Sequence, residues 1–429
     1  MVSGKLAERR YEAGYQENDT AACAEPLKLL ILTQFFPPDF AATGQLIEEL
    51  ATQLGQQNVD VSVFTGQPGY AFAKASAPEA EQVGNVWVKR SRMAQLFPGR
   101  IRGKAVNGLV YAARALLHLV KRSRRYQVLL VTTAPPFLPA IGYLANLLFG
   151  LRYVCLLYDL YPDIAVELEV VNHRNPVARF WRWTNRQVWR RADRIVVLSE
   201  SMRQRIISHC PQAKGKISVI HSWSNEEQIV PIEKRDNWFA MKHKLVNEFV
   251  VLYSGNMGRC HDIDTLFEVA KLLREEPISF VCIGGGAKRS PLMEQIKAEG
   301  LQNFMFLPYQ EKADLPYSLT CADVSLVSVA EGMEDLVAPS KLYPAMATGR
   351  PIAAICPSGS YLNELLATAG CGAAFENGDA AGLAAFISWL SENREKGQQL
   401  GDRGRQYLEG HFTPKIIARE YLRAISSVM

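Results

Sequence analysis

The stretch from Ser340 to Pro351, SKLYPAMATGRP, carries residue types that bind an anion. Ser340 suits an N-cap, Lys341 would fall in the first helical turn, and Gly349 with Pro351 stops a helix. The first four amides of such a helix lack intrahelical partners and its dipole adds partial positive charge, so a cation beside them favours a diphosphate. Alone, the segment also reads as a capped surface helix with a solvated lysine. Two upstream loops weigh against that. Ser254-Gly255-Asn256-Met257-Gly258-Arg259 follows an apolar run; its glycines allow close backbone approach and Arg259 offers a bidentate phosphate fork. Gly284-Gly285-Gly286-Ala287-Lys288 follows a second such run, and Glu331, Glu334 and then Ser340-Lys341 follow a third. Glycines, cations and a helix start would gather at one sheet edge.

The elements that must position these loops alternate in type. Residues 27–33, LKLLILT, form a short apolar run of the kind buried on both faces of a parallel sheet. A loop, an amphipathic helix over 45–56 and a strand over 59–65 complete a βαβ unit, and further strands are expected at 86–90, 128–132, 153–158 and 194–198. After a polar segment, SNEEQIVPIEKRDNW, the pattern restarts. Strands are expected at 248–253, 278–283, 305–307, 324–329 and 351–355, with helices over 264–274 and 292–299 between them. The fold class is α/β, with two Rossmann-like doubly wound domains facing a central cleft. The amino-terminal domain spans 27–225 and the carboxy-terminal domain 226–413, with a disordered tail at 1–26 and a last helix, 414–429, returning to the first domain. Ligands of such sheets collect outside the strand carboxyl ends, which places the chemistry in the cleft.

Composition narrows the class. The chain has 429 residues, 48% hydrophobic and 21% charged, as in a soluble globular protein of two ordinary domains. Its eight cysteines are scattered, without metal-type spacing, and read as buried thiols of a reducing compartment. The first 25 residues carry Glu8, Glu12 and Glu17 and no apolar segment, so a cytoplasmic location is expected. The apolar stretch 135–158 is opened by three prolines and interrupted by Arg152, and divides better into a helix over 138–149 and a strand than into a membrane span. Cations crowd the amino-terminal domain: Lys89, Arg90, Arg92, Arg100, Arg102 and Lys104, then Lys121, Arg122, Arg124 and Arg125. The segment 176–194 interleaves Trp181, Trp183 and Trp189 with arginines. Both suit an anionic membrane surface or a lipid pyrophosphate; a solvated basic helix face is the alternative. No nucleic-acid recognition module is visible.

Taken together, QFFPPDFAATG, LLYDLYPD, ADRIVVLSESM, YSGNMGR, IGGGAK, PSKLYPAMATGRPI and FTPKIIAREYL resemble the landmarks of family 4 glycosyltransferases with the two-domain GT-B fold, in the branch that builds bacterial surface polysaccharides. The resemblance spans about residues 27–425. It implies sugar transfer with retention of configuration, without cofactor or required metal, from a nucleoside-diphosphate sugar, UDP-linked in the first instance, to a hydroxyl of a lipid-linked glycan at the inner membrane face. It assigns the diphosphate to Gly255, Asn256, Gly258, Arg259, Gly284, Gly285, Ser340 and Lys341, and a donor-facing loop to Thr43-Gly44. Asp159 either orients the acceptor hydroxyl or caps the turn before Pro162. His118, between Leu117 and Leu119, reads as structural.

The chain departs from the family pattern at two places. A glutamate, seven residues and a second glutamate commonly precede the Ala-Met-Ala run; those positions hold Leu336 and Pro344. Glu331 and Glu334 are the candidate replacements for the sugar and ribose contacts, or else solvated loop charges. The usual basic partner of Arg259 is also missing, with His261 nearby, and Lys341 is the substitute charge. Two other readings stay open: a non-hydrolysing sugar-nucleotide epimerase, for which no carboxylate constellation can be assembled, and a catalytically inactive membrane-associated scaffold.

Overall fold

The computed structural model describes residues 25–39, 41–68, 77–91 and 101–429, with the side chains of 101, 102, 104 and 105 left out. The expected tail therefore lies outside the described residues but for Glu25 and Pro26, as do Arg92, Arg100 and the side chains of Arg102 and Lys104.

The first sheet contains β1 (Leu27–Leu32), β2 (Val59–Thr65), β3 (Ala80–Val83), β4 (Val86–Arg90), β5 (Val128–Thr132), β6 (Arg152–Leu157), β7 (Arg194–Val197) and β8 (Ile217–Val219). Their order is β3-β4-β2-β1-β5-β6-β7-β8, parallel except for β3 against β4. Leu29 to Leu32 are fully buried because helices cover both faces of β1. Chain order reverses between β1 and β5. Right-handed crossovers then put the helix Ala42–Gly55 on one face and the helices Ile101–Arg122, Pro139–Phe149 and Pro176–Arg191 on the other. The last helix, Pro414–Ser426, packs on Ala42–Gly55, and its Tyr421 meets Trp223 edge-on at 6.2 Å between ring centroids.

The second sheet contains β9 (Phe249–Ser254), β10 (Ile278–Ile283), β11 (Phe304–Leu307), β12 (Val324–Ser328), β13 (Ile352–Ile355) and β14 (Gly372–Phe375). All are parallel, in the order β11-β10-β9-β12-β13-β14, so its reversal falls between β9 and β12. The loops after β9 and β12 flank the crevice that such a reversal opens.

The apolar stretch near 135–158 resolves into the helix Pro139–Phe149 and β6, and no helix among the described residues is long and apolar enough to cross a membrane. All described cysteines are free and, Cys260 excepted, buried. The reading of Arg90 as a surface cation is corrected: it is 1% exposed, donates to the carbonyls of Pro37 and Pro78, and pairs with Glu81. It braces the β4 edge from within.

Candidate functional site

The chain leaves β9 at Ser254 and enters a loop laced to the one after β10. Gly255 N–H donates to Ile283 O at 2.8 Å and Met257 N–H to Gly285 O at 2.6 Å. Gly284 has φ +123° and lies so close to the Gly255 carbonyl that any Cβ there would collide with it. Ala330 N–H donates to Cys260 O at 2.9 Å, which ties in the loop after β12. Three strand ends thus share one backbone network, rigid without large side chains.

Lys341 is the cation set into this network. Its Nζ donates to Asn256 O at 3.1 Å, lies 3.0 Å from His261 Nε2 and stands 5.0 Å above the Tyr253 ring. Gly255, at φ +128°, is required here because a Cβ would lie 2.7 Å from Lys341 Cε. His261 Nδ1 sits 2.7 Å from Ser328 O, a carbonyl that can only accept. The proton therefore belongs on Nδ1, and Nε2 accepts from the lysine. Burial, and then the Lys341 charge, push His261 down to about 3, so the ring is neutral. Burial pushes Lys341 itself down to about 7, poised to take a full charge when an anion arrives.

The helix that follows is shorter than expected, and the N-cap assignment of Ser340 is corrected. The helix is Leu342–Ala347, Lys341 occupies the cap position at φ −62° and ψ −24°, and no side chain caps it. Leu342 N–H is already taken by Pro339 O in a turn at 3.3 Å, so the lysine precedes the helix and is not part of its first turn. Ser340 and Pro344 line the cleft beside it, while Leu336 is 1% exposed and its carbonyl accepts from Leu160 N–H at 3.0 Å.

Glu331 and Glu334 stand outside the lining of the cleft cavity, and one carboxylate oxygen of Glu334 is buried with no hydrogen-bond partner among the described residues. Glu331 is exposed. The Glu334 carbonyl accepts from Ser201 Oγ at 3.0 Å, and Gly332 lies against the Glu167 carboxylate, so this loop faces the amino-terminal domain. Asp159 meets the same loop, its backbone bridging to Val337. Its carboxyl makes no hydrogen bond among the described residues that would cap the turn; burial raises it to about 6, and it lies close enough to Cys260 to help push that thiol up to about 11. Lys341 also acts on Cys260, so Asp159 and Lys341 approach the loop after β9 from opposite domains. Gly44 is buried where its helix crosses the backbone of Phe35 and Phe36, 3.1 Å from an added Cβ. Gly258 is part-buried and Arg259 exposed, the latter without an ion pair among the described residues. His118 is structural: it stacks on Phe64 and bonds Tyr126, and burial holds it near 4.

The cavity between the domains measures about 260 Å³. One wall is apolar, from Leu252, Ile283, Leu315, Pro316 and Leu319, with Tyr309 and Gln310 from the loop after β11. The Tyr309 ring lies against Gly284 and Gly285. The opposite wall comes from Ala42, Gln45, Leu46 and Glu49 of the first helix and from Trp223, Asn225 and Gln228. Sequence reasoning missed both walls. The 42/45/46/49 spacing of one helix face and the position of Tyr309-Gln310 after a strand were the available signals.

The family described as glycosyl transferase 4-like domain matches residues 42–223, and that described as glycosyl transferases group 1 matches residues 234–407. The probable glycosyltransferase WbjE of Pseudomonas aeruginosa is 28% identical, over 78% of this chain and 84% of its own. The putative colanic acid biosynthesis glycosyl transferase WcaI of Escherichia coli (strain K12) is 25% identical, over 75% and 82%. Among solved structures, Anabaena HepE in complex with UDP and glucose superposes with a TM-score of 0.70 over 94% of this chain and 100% of that one, at 14% identity, a likeness of fold. With both domain families in tandem, two parallel sheets reversing at a shared cleft and these relatives, the chain belongs to the family 4 glycosyltransferases of GT-B fold, in the branch of surface-polysaccharide biosynthesis.

Proposed function

We propose that this glycosyltransferase moves a hexosyl or N-acetylhexosaminyl group, with retention, from a UDP-sugar to a hydroxyl of a lipid-linked glycan at the cytoplasmic face of a membrane. The observation that carries the donor half is the seat of Lys341, a half-buried ammonium held against the glycine loops at the sheet reversal. HepE, which shares the fold, was solved with UDP and glucose, and the apolar wall with Tyr309 suits a nucleobase.

The acceptor oxygen attacks the anomeric carbon on the face the diphosphate leaves. The bond from that carbon to the phosphate oxygen breaks, and the departing oxygen takes the acceptor's proton. No protein nucleophile is consumed. Lys341, with Arg259 reaching in from the loop edge, stabilises the charge growing on the leaving phosphate, where fixed donors act without reorganisation. Asp159 orients the acceptor hydroxyl by accepting its hydrogen bond, being largely ionised above its raised value of about 6. Domain closure holds the two substrates in line.

The acceptor's membrane is met through the outer helices of the amino-terminal domain. Val106, Leu109, Leu117 and Val120 form an exposed stripe on Ile101–Arg122, and Phe180 and Trp183 stack outward at 5.8 Å on Pro176–Arg191, between the exposed Arg179 and Arg186. Both helices neighbour Pro139–Phe149, whose end exposes Leu147 and Leu148. Apolar groups ringed by arginines suit an anionic bilayer interface.

Thermal stabilisation by a panel of UDP-, GDP- and dTDP-sugars tests the donor, since ligand at 100 times its Kd adds about 2.7 kcal/mol of stability. Stabilisation by UDP-sugars, transfer to a polyprenyl-diphosphate glycan with the donor's anomeric configuration, and activity that survives EDTA are expected. Epimerised donor in the absence of acceptor would replace this reading with an epimerase, and no nucleotide-sugar binding at all would replace it with a scaffold.

A further inference from the structure

The cavity's lining combines apolar residues and Tyr309 with Gly255, Ser340 and Lys341. A nucleoside diphosphate likewise combines a base and a diphosphate, joined by a ribose whose vicinal hydroxyls need acceptors. Pro344 and Ala345 also line the cavity and offer no polar side chain. Its one acidic lining residue is Glu49, from the amino-terminal domain.

Glu49 is built to hold a ligand hydroxyl. Its Oε2 accepts from the Trp223 indole N–H at 2.9 Å, and Trp223 is itself pinned by Tyr421. One oxygen is thus fixed and orients the other, for which no protein donor is present among the described residues. Burial raises the Glu49 carboxyl while the Trp223 hydrogen bond and the nearby Lys312 lower it, the balance of a carboxylate kept out of water but partly compensated. Such a group gains most from a ligand that donates to it, because a charged acceptor left under-bonded in a closed site is costly.

We propose that Glu49 receives the ribose hydroxyls of the nucleotide seated on the carboxy-terminal domain, so that the donor bridges both domains and the first helix reads ribose against deoxyribose. The proposal rests on the nucleoside-diphosphate reading above and adds to it a selectivity element from the opposite domain. It makes nucleotide binding itself a force for domain closure.

The test is calorimetric titration of the full chain with UDP, 2′-deoxy-UDP and 3′-deoxy-UDP, for the unaltered protein, Glu49→Ala and Glu49→Gln. In the unaltered protein, loss of a hydroxyl to a charged acceptor should weaken binding by roughly tenfold or more. Glu49→Ala should bring UDP down to the level of its deoxy forms while leaving the deoxy affinities in place, so the ratio falls towards one. Glu49→Gln, which can still accept from Trp223 and so keeps the local fold, should give an intermediate ratio. A ratio near one in the unaltered protein, or the same ratio in all three proteins, overturns the proposal and leaves the donor reading intact. A chain that binds none of UDP, GDP and dTDP removes both. A variant that keeps the ratio but raises the acceptor KM moves Glu49 to the acceptor and also overturns it.

Discussion

The two rims of the cleft differ in the chemistry they bring. The carboxy-terminal rim offers interlaced glycine backbone with Lys341, Arg259 and Lys312; the amino-terminal rim offers the carboxylates Glu48, Glu49 and Asp159. A nucleotide sugar divides in the same way, since its phosphates need cations and its ribose and the acceptor need hydrogen-bond acceptors. The arrangement also makes the two rims complementary to each other, with Glu48 and Lys312 paired across the cleft at 3.2 Å. The loop before Ser340 is held by the opposite polarity, Arg205 of the amino-terminal domain pairing with Asp335 at 3.2 Å. If the cleft takes a nucleotide sugar as proposed, its binding exchanges these weak interdomain pairs for ligand contacts.

The largest effect is expected at Lys341. Lys341→Ala should lower kcat on the order of 10²-fold, the loss expected for one preorganised donor at a developing charge. Arg259→Ala should cost less, on the order of tenfold, because an exposed guanidinium acts through a more screened medium. The double variant should lose less than the product if both act on one phosphate charge, measured by steady-state kinetics on all four proteins. Near-normal turnover of Lys341→Ala would mean that the carboxy-terminal rim works through backbone alone.

The same lysine also makes the carboxy-terminal rim sensitive to pH. Its free-state value of about 7 lies below that of an unfolded chain, about 10.4. Between these values the unfolded state binds the extra proton, so Lys341 makes stability rise with pH across that window, and Lys341→Met should raise Tm at neutral pH. Nucleotide binding has the opposite preference, because the diphosphate needs the protonated form. Affinity should be full below pH 7 and fall by up to about tenfold per unit above it, with uptake of a proton visible as a buffer-dependent binding enthalpy. A pH-independent affinity between 6 and 9 would place the phosphates away from Lys341.

How much of this was legible in the sequence follows from how local each feature is. β5 at Val128–Thr132 and β10 at Ile278–Ile283 lie where their mostly apolar runs predict, because burial on both faces leaves few polar residues to blur the ends. β14 at Gly372–Phe375, whose residues stay only part-buried at the sheet edge, gave no comparable run. Ser340 misled because capping ability is a property of residue type, whereas the cap position depends on where Pro339 turns the chain. The contact between Lys341 and His261 joins two distant segments, and only the sheet order brings them together. Glu49 was hidden for a similar reason. Its helix showed a face, but what that face meets is set by the other domain.

Away from the cleft, the outer helices should respond to salt while the rims should not. The protein is expected to bind phosphatidylglycerol vesicles in a flotation assay, more weakly at high salt, since each surface cation near such lipids contributes about 1 kcal/mol. Replacing Phe180 and Trp183 together with Ala should lower vesicle binding several-fold and leave transfer to a soluble acceptor analogue unchanged, because both side chains project outward. Vesicle binding that is equal for the altered and unaltered proteins would assign the basic helix face to solvent.

The smallest effect is expected at the pair that already spans the cleft. Glu48 and Lys312 keep 23% and 41% of their side-chain surface exposed, the regime in which an ion pair contributes about 0–1 kcal/mol. Glu48→Ala and Lys312→Ala should each change the donor KM by a few-fold at most, with coupling in the double variant that fades as salt rises. The two substitutions are not equivalent, because Lys312 lines the cavity and Glu48 does not. If the pair is only a latch, both should act alike and through KM. If instead Lys312→Ala lowers kcat as much as Lys341→Ala while Glu48→Ala changes little, Lys312 is a second phosphate ligand and the carboxy-terminal rim holds the leaving group from two sides.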